Sequence, residues 1–124
     1  MSTGDGGGEV LNPVEVEQII RATANGIGKS VKVVSEAHAA FKTKTRIYEH
    51  AFAVAYISAE GPSHEKKYRA EKVTQQERAD AEAAEVAFRH AERQMKALEI
   101  QLSAAQTIAK SVGQMYGAAG SGRG

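Results

Sequence analysis

Apolar and small residues between Asn12 and Tyr116 recur at alternating steps of four and three, the spacing of a helix that buries one stripe. In the first half the stripe reads Ile20, Ala24, Ile27, Val31, Val34, His38, Phe41, Thr45, Tyr48, Phe52, Ala55 and Ala59. In the second it reads Ala70, Thr74, Glu77, Ala81, Ala84, Phe88, Ala91, Met95, Leu98, Leu102, Ala105, Ala109, Val112 and Tyr116. Gly61-Pro62 is the strongest breaker between them. Asn12 before Pro13, with Glu15 three residues on, has the form of a capping box, and Ser63 is placed to cap a second helix. The pattern predicts helices over 13–60 and 63–116, a turn at 61–62, and a kink at Gly26 and Gly28, where two glycines weaken the first helix. Glycine-rich tails are expected at 1–11 and 117–124.

The fold class expected is all-α: a long antiparallel helical hairpin of coiled-coil type, assembling into a four-helix or larger bundle. Folding back at Gly61 would set Phe41 on Ala81, Val34 on Phe88, Val31 on Ala91 and Ala24 on Leu98, with Thr45 against Glu77 as a polar layer that fixes register. A second set of apolar residues lies beside this stripe. It comprises Val33, Ala37, Ala40, Ile47, Ala51 and Val54 in the first helix, and Ala83, Val86, Ala97, Ile100, Ala104 and Ile108 in the second. A stripe that wide exceeds what one two-helix seam buries, so Val33, Ala40, Ile47, Val54, Val86, Ala97, Ile100, Ala104 and Ile108 are the candidate interface for a second copy or a protein partner.

Composition explains why bundling would be needed. The chain has 124 residues, 6% aromatic, with neither Trp nor Cys, and 22 of its residues are Ala. Alanine buries little area per residue, so a deep core with an enzyme-like pocket is not expected. The absence of Cys removes disulfides and thiol chemistry and fits a reducing, cytoplasmic location. Sixteen basic against fifteen acidic residues leave a net charge of +1, so any electrostatic binding must be local. Neither a secretion signal nor an apolar run of about 18 residues is present, so no membrane role is expected.

Three local features were weighed as chemical sites. Gly26-Ile27-Gly28-Lys29-Ser30 resembles the end of a phosphate-binding loop, but Thr23 stands where that loop needs its first Gly, and no strand precedes it. The histidines His38, His50, His64 and His90 lack the Glu-x-x-His spacing of helical metal sites, so neither metal nor cofactor is expected. Asp80, Glu82 and Glu85 sit among Arg78, Arg89 and Lys96 at ion-pairing spacing and read as a solvated face. A further feature is richer: residues 42–69 carry a net charge of +3 and most of the aromatics. Here Lys42, Lys44, Arg46, Tyr56, Lys66, Lys67, Tyr68 and Arg69 form a candidate site for single-stranded nucleic acid, cations on phosphate and rings under bases.

The stretch from Tyr68 to Gly117, and in particular Lys96–Glu99, Leu102–Ala104, Lys110–Val112 and Tyr116, resembles small all-helical proteins encoded by tailed bacteriophages of actinobacteria. The resemblance implies a helical accessory protein in the host cytoplasm, linked to phage recombination or replication, or to inhibition of a host protein. It carries over no functional residue. From the residues themselves the expected function is non-enzymatic: an interaction and assembly module acting through oligomerisation and partner contact, with nucleic-acid binding at the turn end as the competing class.

Overall fold

A computed structural model describes residues 12–121, with side-chain environments through 117. Within that span the chain is helical: α1 covers Pro13–Ser58, α2 Ser63–Val73 and α3 Gln75–Ser121, and α1 packs against α3 as an antiparallel hairpin. The residues cluster into two compact units, Met1–Lys29 with Lys96–Gly124, and Ser30–Met95. The tail expected at 1–11 lies outside the described residues. At the other end α3 continues past Tyr116 to Ser121, into the expected second tail.

Each helix start follows from local chemistry. Asn12 Oδ1 accepts the backbone N–H of Glu15 at 2.8 Å, while Asn12 Nδ2 donates to Glu15 Oε1 at 3.0 Å. This is a capping box whose returning arm bonds the Asn side chain in place of the cap's backbone N–H. At the turn the expected cap is displaced: Pro62 is the N-cap, extended at φ −64° and ψ 156°, and Ser63 is already helical. Gly61 has φ +103°, a conformation that L side chains rarely adopt, and it lets the connection reverse between Ser58 and Ser63. Arg69 secures that reversal by donating to the Glu60 carbonyl and pairing with Glu65 at 3.8 Å.

α1 runs unbroken through Gly26 and Gly28. The return arm, expected as one helix, is divided at Thr74, whose φ −110° and ψ 19° leave helical geometry. There the Thr74 hydroxyl donates to the Ala70 carbonyl at 2.6 Å, the carbonyl that also accepts the Thr74 N–H at 3.2 Å. Thr74 and Ala70 are almost fully buried, so the break lies inside the packing.

Burial on α2 and α3 follows the expected stripe from Ala70 through Val112, and only Tyr116 departs from it, half exposed. α1 differs. Downstream of Phe41 the seam is as expected, but upstream it passes through Ala37, Ser30 and Thr23, leaving His38, Val31 and Ala24 exposed. The steps Ala37 to Phe41 to Thr45 are two successive fours. A strict seven-residue repeat drifts about 20° per heptad on a straight helix, and the double step takes up that drift.

Within Ser30–Met95 the expected partners Phe41 and Ala81 line one groove and Val34 and Phe88 another, and Phe88 in addition stacks on His38 at 4.7 Å and lies 5.9 Å from Phe41. The expected polar layer does not form: Thr45 Oγ1 is buried without a hydrogen-bond partner. In the other unit Leu98 is met by Gly26 in place of Ala24; a Cβ on Gly26 would sit 3.5 Å from Leu98 Cδ1.

Candidate interaction surface

The seam gives the hairpin two distinct sides. Residues that follow a seam residue on α1 and on α3 share one side. This is visible in the groove of about 370 Å³ where Ser35 and His38, which follow Val34 and Ala37, meet Glu92, which follows Ala91. Residues that precede a seam residue share the opposite side, because the two helices run in opposite directions with the same hand.

In Ser30–Met95 the following side is charged. It carries Lys42, Arg46 and Glu49 on α1, and Arg78, Glu82, Glu85, Arg89 and Glu92 on α3. Arg78 pairs with Glu82 at 3.5 Å, and Arg89 with Glu92 at 3.0 Å and Glu85 at 4.0 Å, each partner about half exposed. Such pairs contribute little stability but keep the side wetted. In the other unit Glu17 and Arg21 follow Val16 and Ile20 and pair at 2.7 Å.

The preceding side carries fewer charges. Within Ser30–Met95 it shows Val33, Ala40, Ile47 and Val54 on α1 at strict seven-residue intervals, all exposed, with the three branched residues each about half accessible. α3 shows the small residues Ala83 and Ala87, then His90, on the same side. Its charged groups are Glu36 and Lys44 on α1, Arg69 on α2 and Asp80 on α3. In the other unit Ile19 on α1 and Ala97, Ala104 and Ile108 on α3 occupy preceding positions and are likewise exposed.

Of the expected interface residues, Val33, Ala40, Ile47 and Val54 are therefore brought together with alanines of α3. Val86 and Ile100 are set apart: each lies on the back of α3, about 60% exposed, on neither side of the seam. Ala83, already in the second apolar set, and Ala87, absent from it, complete the surface; the rule that both precede seam residues would have found Ala87 once the antiparallel hand was applied.

The basic–aromatic cluster does not assemble as one patch. Lys42 and Arg46 lie on the charged side beside Glu49, whereas Lys44 is on the other. Tyr48 meets Phe52 edge to face at 6.2 Å and Phe52 stacks on Tyr56 at 6.4 Å, all three half buried along the seam, and Lys66 covers the Tyr56 ring at 5.8 Å. Arg69 is engaged at the turn. Lys67 and Tyr68 remain exposed.

The phosphate-loop-like segment lies wholly inside α1, so its amide groups are committed to the helix. Among the described residues no three His, Asp or Glu side chains cluster at metal-binding distance, and no helix is long and apolar enough to cross a membrane. No protein-family model, no curated protein and no solved structure matches this chain.

Proposed function

We propose that the chain is a non-enzymatic helical assembly protein, acting through protein–protein contact on the less charged side of the hairpin. One observation carries this reading: the distribution of bulk is inverted. Four of the seven buried apolar residues are alanines, while fourteen larger apolar residues, including Val33, Ile47 and Val54, stand exposed among the described residues. Scattered exposed apolar residues are ordinary, but a row of apolar residues at seven-residue spacing along one side is the form of an unfilled helix–helix seam. The charged side, laced with ion pairs, would face water in such an assembly.

Light scattering of the wild type and of Val33→Asp/Ile47→Asp tests it. The wild type should have the mass of an oligomer, and the variant should fall to the monomer mass with unchanged helical circular dichroism. A monomeric wild type at tens of micromolar would refute the reading.

Single-stranded nucleic acid at the turn end is the competing proposal, favoured by the exposed Tyr68 ring beside Lys67. It predicts oligonucleotide binding that weakens with salt and is lost in Lys66→Glu/Lys67→Glu, with oligomer mass unchanged. Binding insensitive to salt would exclude it.

A further inference from the structure

The less charged side within Ser30–Met95 is matched about one level of the hairpin. On α1 it carries Val33, Glu36, Ala40, Lys44 and Ile47. Glu36 and Lys44 stand equally far from Ala40 and are opposite in charge, while Val33 and Ile47, also equally far, are both branched and about half exposed. On α3 the side carries Gln76, Asp80, Ala83, Ala87, His90 and Gln94. About the midpoint of Ala83 and Ala87, Asp80 is matched by His90 and Gln76 by Gln94. The two centres share a level. His38 stacks on Phe88, and from that pair Ala40 lies two residues toward the turn and the α3 midpoint three, a difference of about 1.5 Å along the axis. Packing within one hairpin does not require this agreement, because none of these residues belongs to the seam. Among the described residues Glu36, Lys44 and His90 make no ion pair, and Asp80 accepts only a neutral bond from Gln76 at 2.8 Å.

We propose that this side closes on the same side of a second copy about a two-fold axis that crosses α1 and α3 at right angles at the level of Ala40. The proposal rests on the assembly reading above and adds its partner, symmetry and register. Such an axis reverses level, so each residue meets the one equally far beyond the centre. α1 lies antiparallel on α1 of the second copy, where Glu36 meets Lys44 and Val33 meets Ile47, each twice, and Ala40 meets itself. α3 lies antiparallel on α3, where Ala83 meets Ala87, Gln76 meets Gln94, and the His90 imidazole donates to the Asp80 carboxylate. The alanine rows hold the α3 pair near the close end of ordinary helix spacing, about 8–10 Å, and the branched residues hold the α1 pair near the wide end. Arg69, the remaining charge of this side, lies outside the matched stretch and is engaged at the turn. Buried charges need partners, which selects this register: a slip of one heptad toward the turn would set Glu36 on Ala51. An axis parallel to the helices would preserve level and set Val33 against Gln94 and Ile47 against Asp80, apolar on polar. The product is a four-helix bundle with its two turns at opposite ends.

Charge exchange on the full chain tests the register, with mass measured by scattering. Glu36→Lys and Lys44→Glu, each alone, bring like charges together twice and should lower the mass from dimer to monomer with unchanged helical circular dichroism. The double variant Glu36→Lys/Lys44→Glu should recover the dimer. The two residues lie about two turns apart on one helix, too far to pair within a chain, so recovery requires a second copy. Ala40→Cys, placed at the axis, should oxidise to a covalent dimer, whereas Val86→Cys on the back of α3 should not; the protein has no cysteine of its own. A dimeric wild type whose mass the single variants leave unchanged, or the double variant fails to recover, would overturn the proposal while leaving the assembly reading intact. Equal oxidation of the two cysteine variants would do the same, and a monomeric wild type would overturn both.

Discussion

His38 lies flat on Phe88, ring centroids 4.7 Å apart and planes 27° from parallel, although His38 itself is exposed and Phe88 is nearly buried. The histidine caps the seam from the charged side. Phe88 also carries Phe41 at 5.9 Å and the Arg89 guanidinium at 5.0 Å, so one aromatic ring joins both helices at this level. Phe88→Ala should cost about 3–5 kcal/mol, the usual range for emptying a buried aromatic site. His38→Ala should cost about 0.5–1.5 kcal/mol, the contribution of the ring pair alone. Urea unfolding of both variants gives the comparison, and equal losses would show that the stack is not what Phe88 contributes.

Thr45→Val should stabilise the protein. The Thr45 hydroxyl oxygen is buried with no partner, a condition that costs about 1–3 kcal/mol, and Val replaces it with a methyl of similar shape. A rise in the urea midpoint is expected; a fall would mean that the hydroxyl is bonded in solution.

Gly28→Ala should also stabilise, by about 0.8–1 kcal/mol, because α1 is unbroken there and nothing lies within 4 Å of an added Cβ. Thermal melting would show this as a shift of a few degrees. No gain would indicate that α1 opens at this point in solution, as the glycine pair suggests from sequence alone.

Gly61→Ala should act in the opposite sense. The φ of +103° disfavours any Cβ, and the added atom would lie 2.9 Å from Glu65 Oε2, disturbing the carboxylate that pairs with Arg69. A loss of about 1–2 kcal/mol is expected from the backbone conformation. If Gly61→Ala and Gly28→Ala shift the melting temperature in the same direction, one of the two conformations is misassigned.

The seam of α3 was legible in the sequence because its four-three spacing runs without a break from Ala81 to Val112. On α1 the upstream half was misread for an identifiable reason. Val31 and His38 are bulkier than Ser30 and Ala37, and a pattern read by bulk favours the bulkier choice, yet it is Ser30 and Ala37 that are the less exposed. Thr74 was assigned correctly to the seam, but its side-chain bond to the Ala70 carbonyl, which accompanies the break in the return arm, has no periodic signature. The expected Thr45–Glu77 layer is absent, the Thr45 hydroxyl being buried without a partner. The candidate surface was largely visible: the α1 row and Ala83, Ala97, Ala104 and Ile108 of α3 were found, while bulk also drew in Val86 and Ile100 and let Ala87 pass.

Because the hairpin's two sides differ only in whether a residue stands one place before or one place after the seam, the chain is more sensitive to length than to identity. A single residue inserted into α3 upstream of Ala81 would turn everything beyond it by about 100°, carrying Ala83 and Ala87 into the seam and the present seam residues onto the charged side. An insertion of seven would leave every residue on its present side, displaced by two turns. Lineages of such a protein should therefore accept many substitutions and gain or lose residues within the arms in steps of seven.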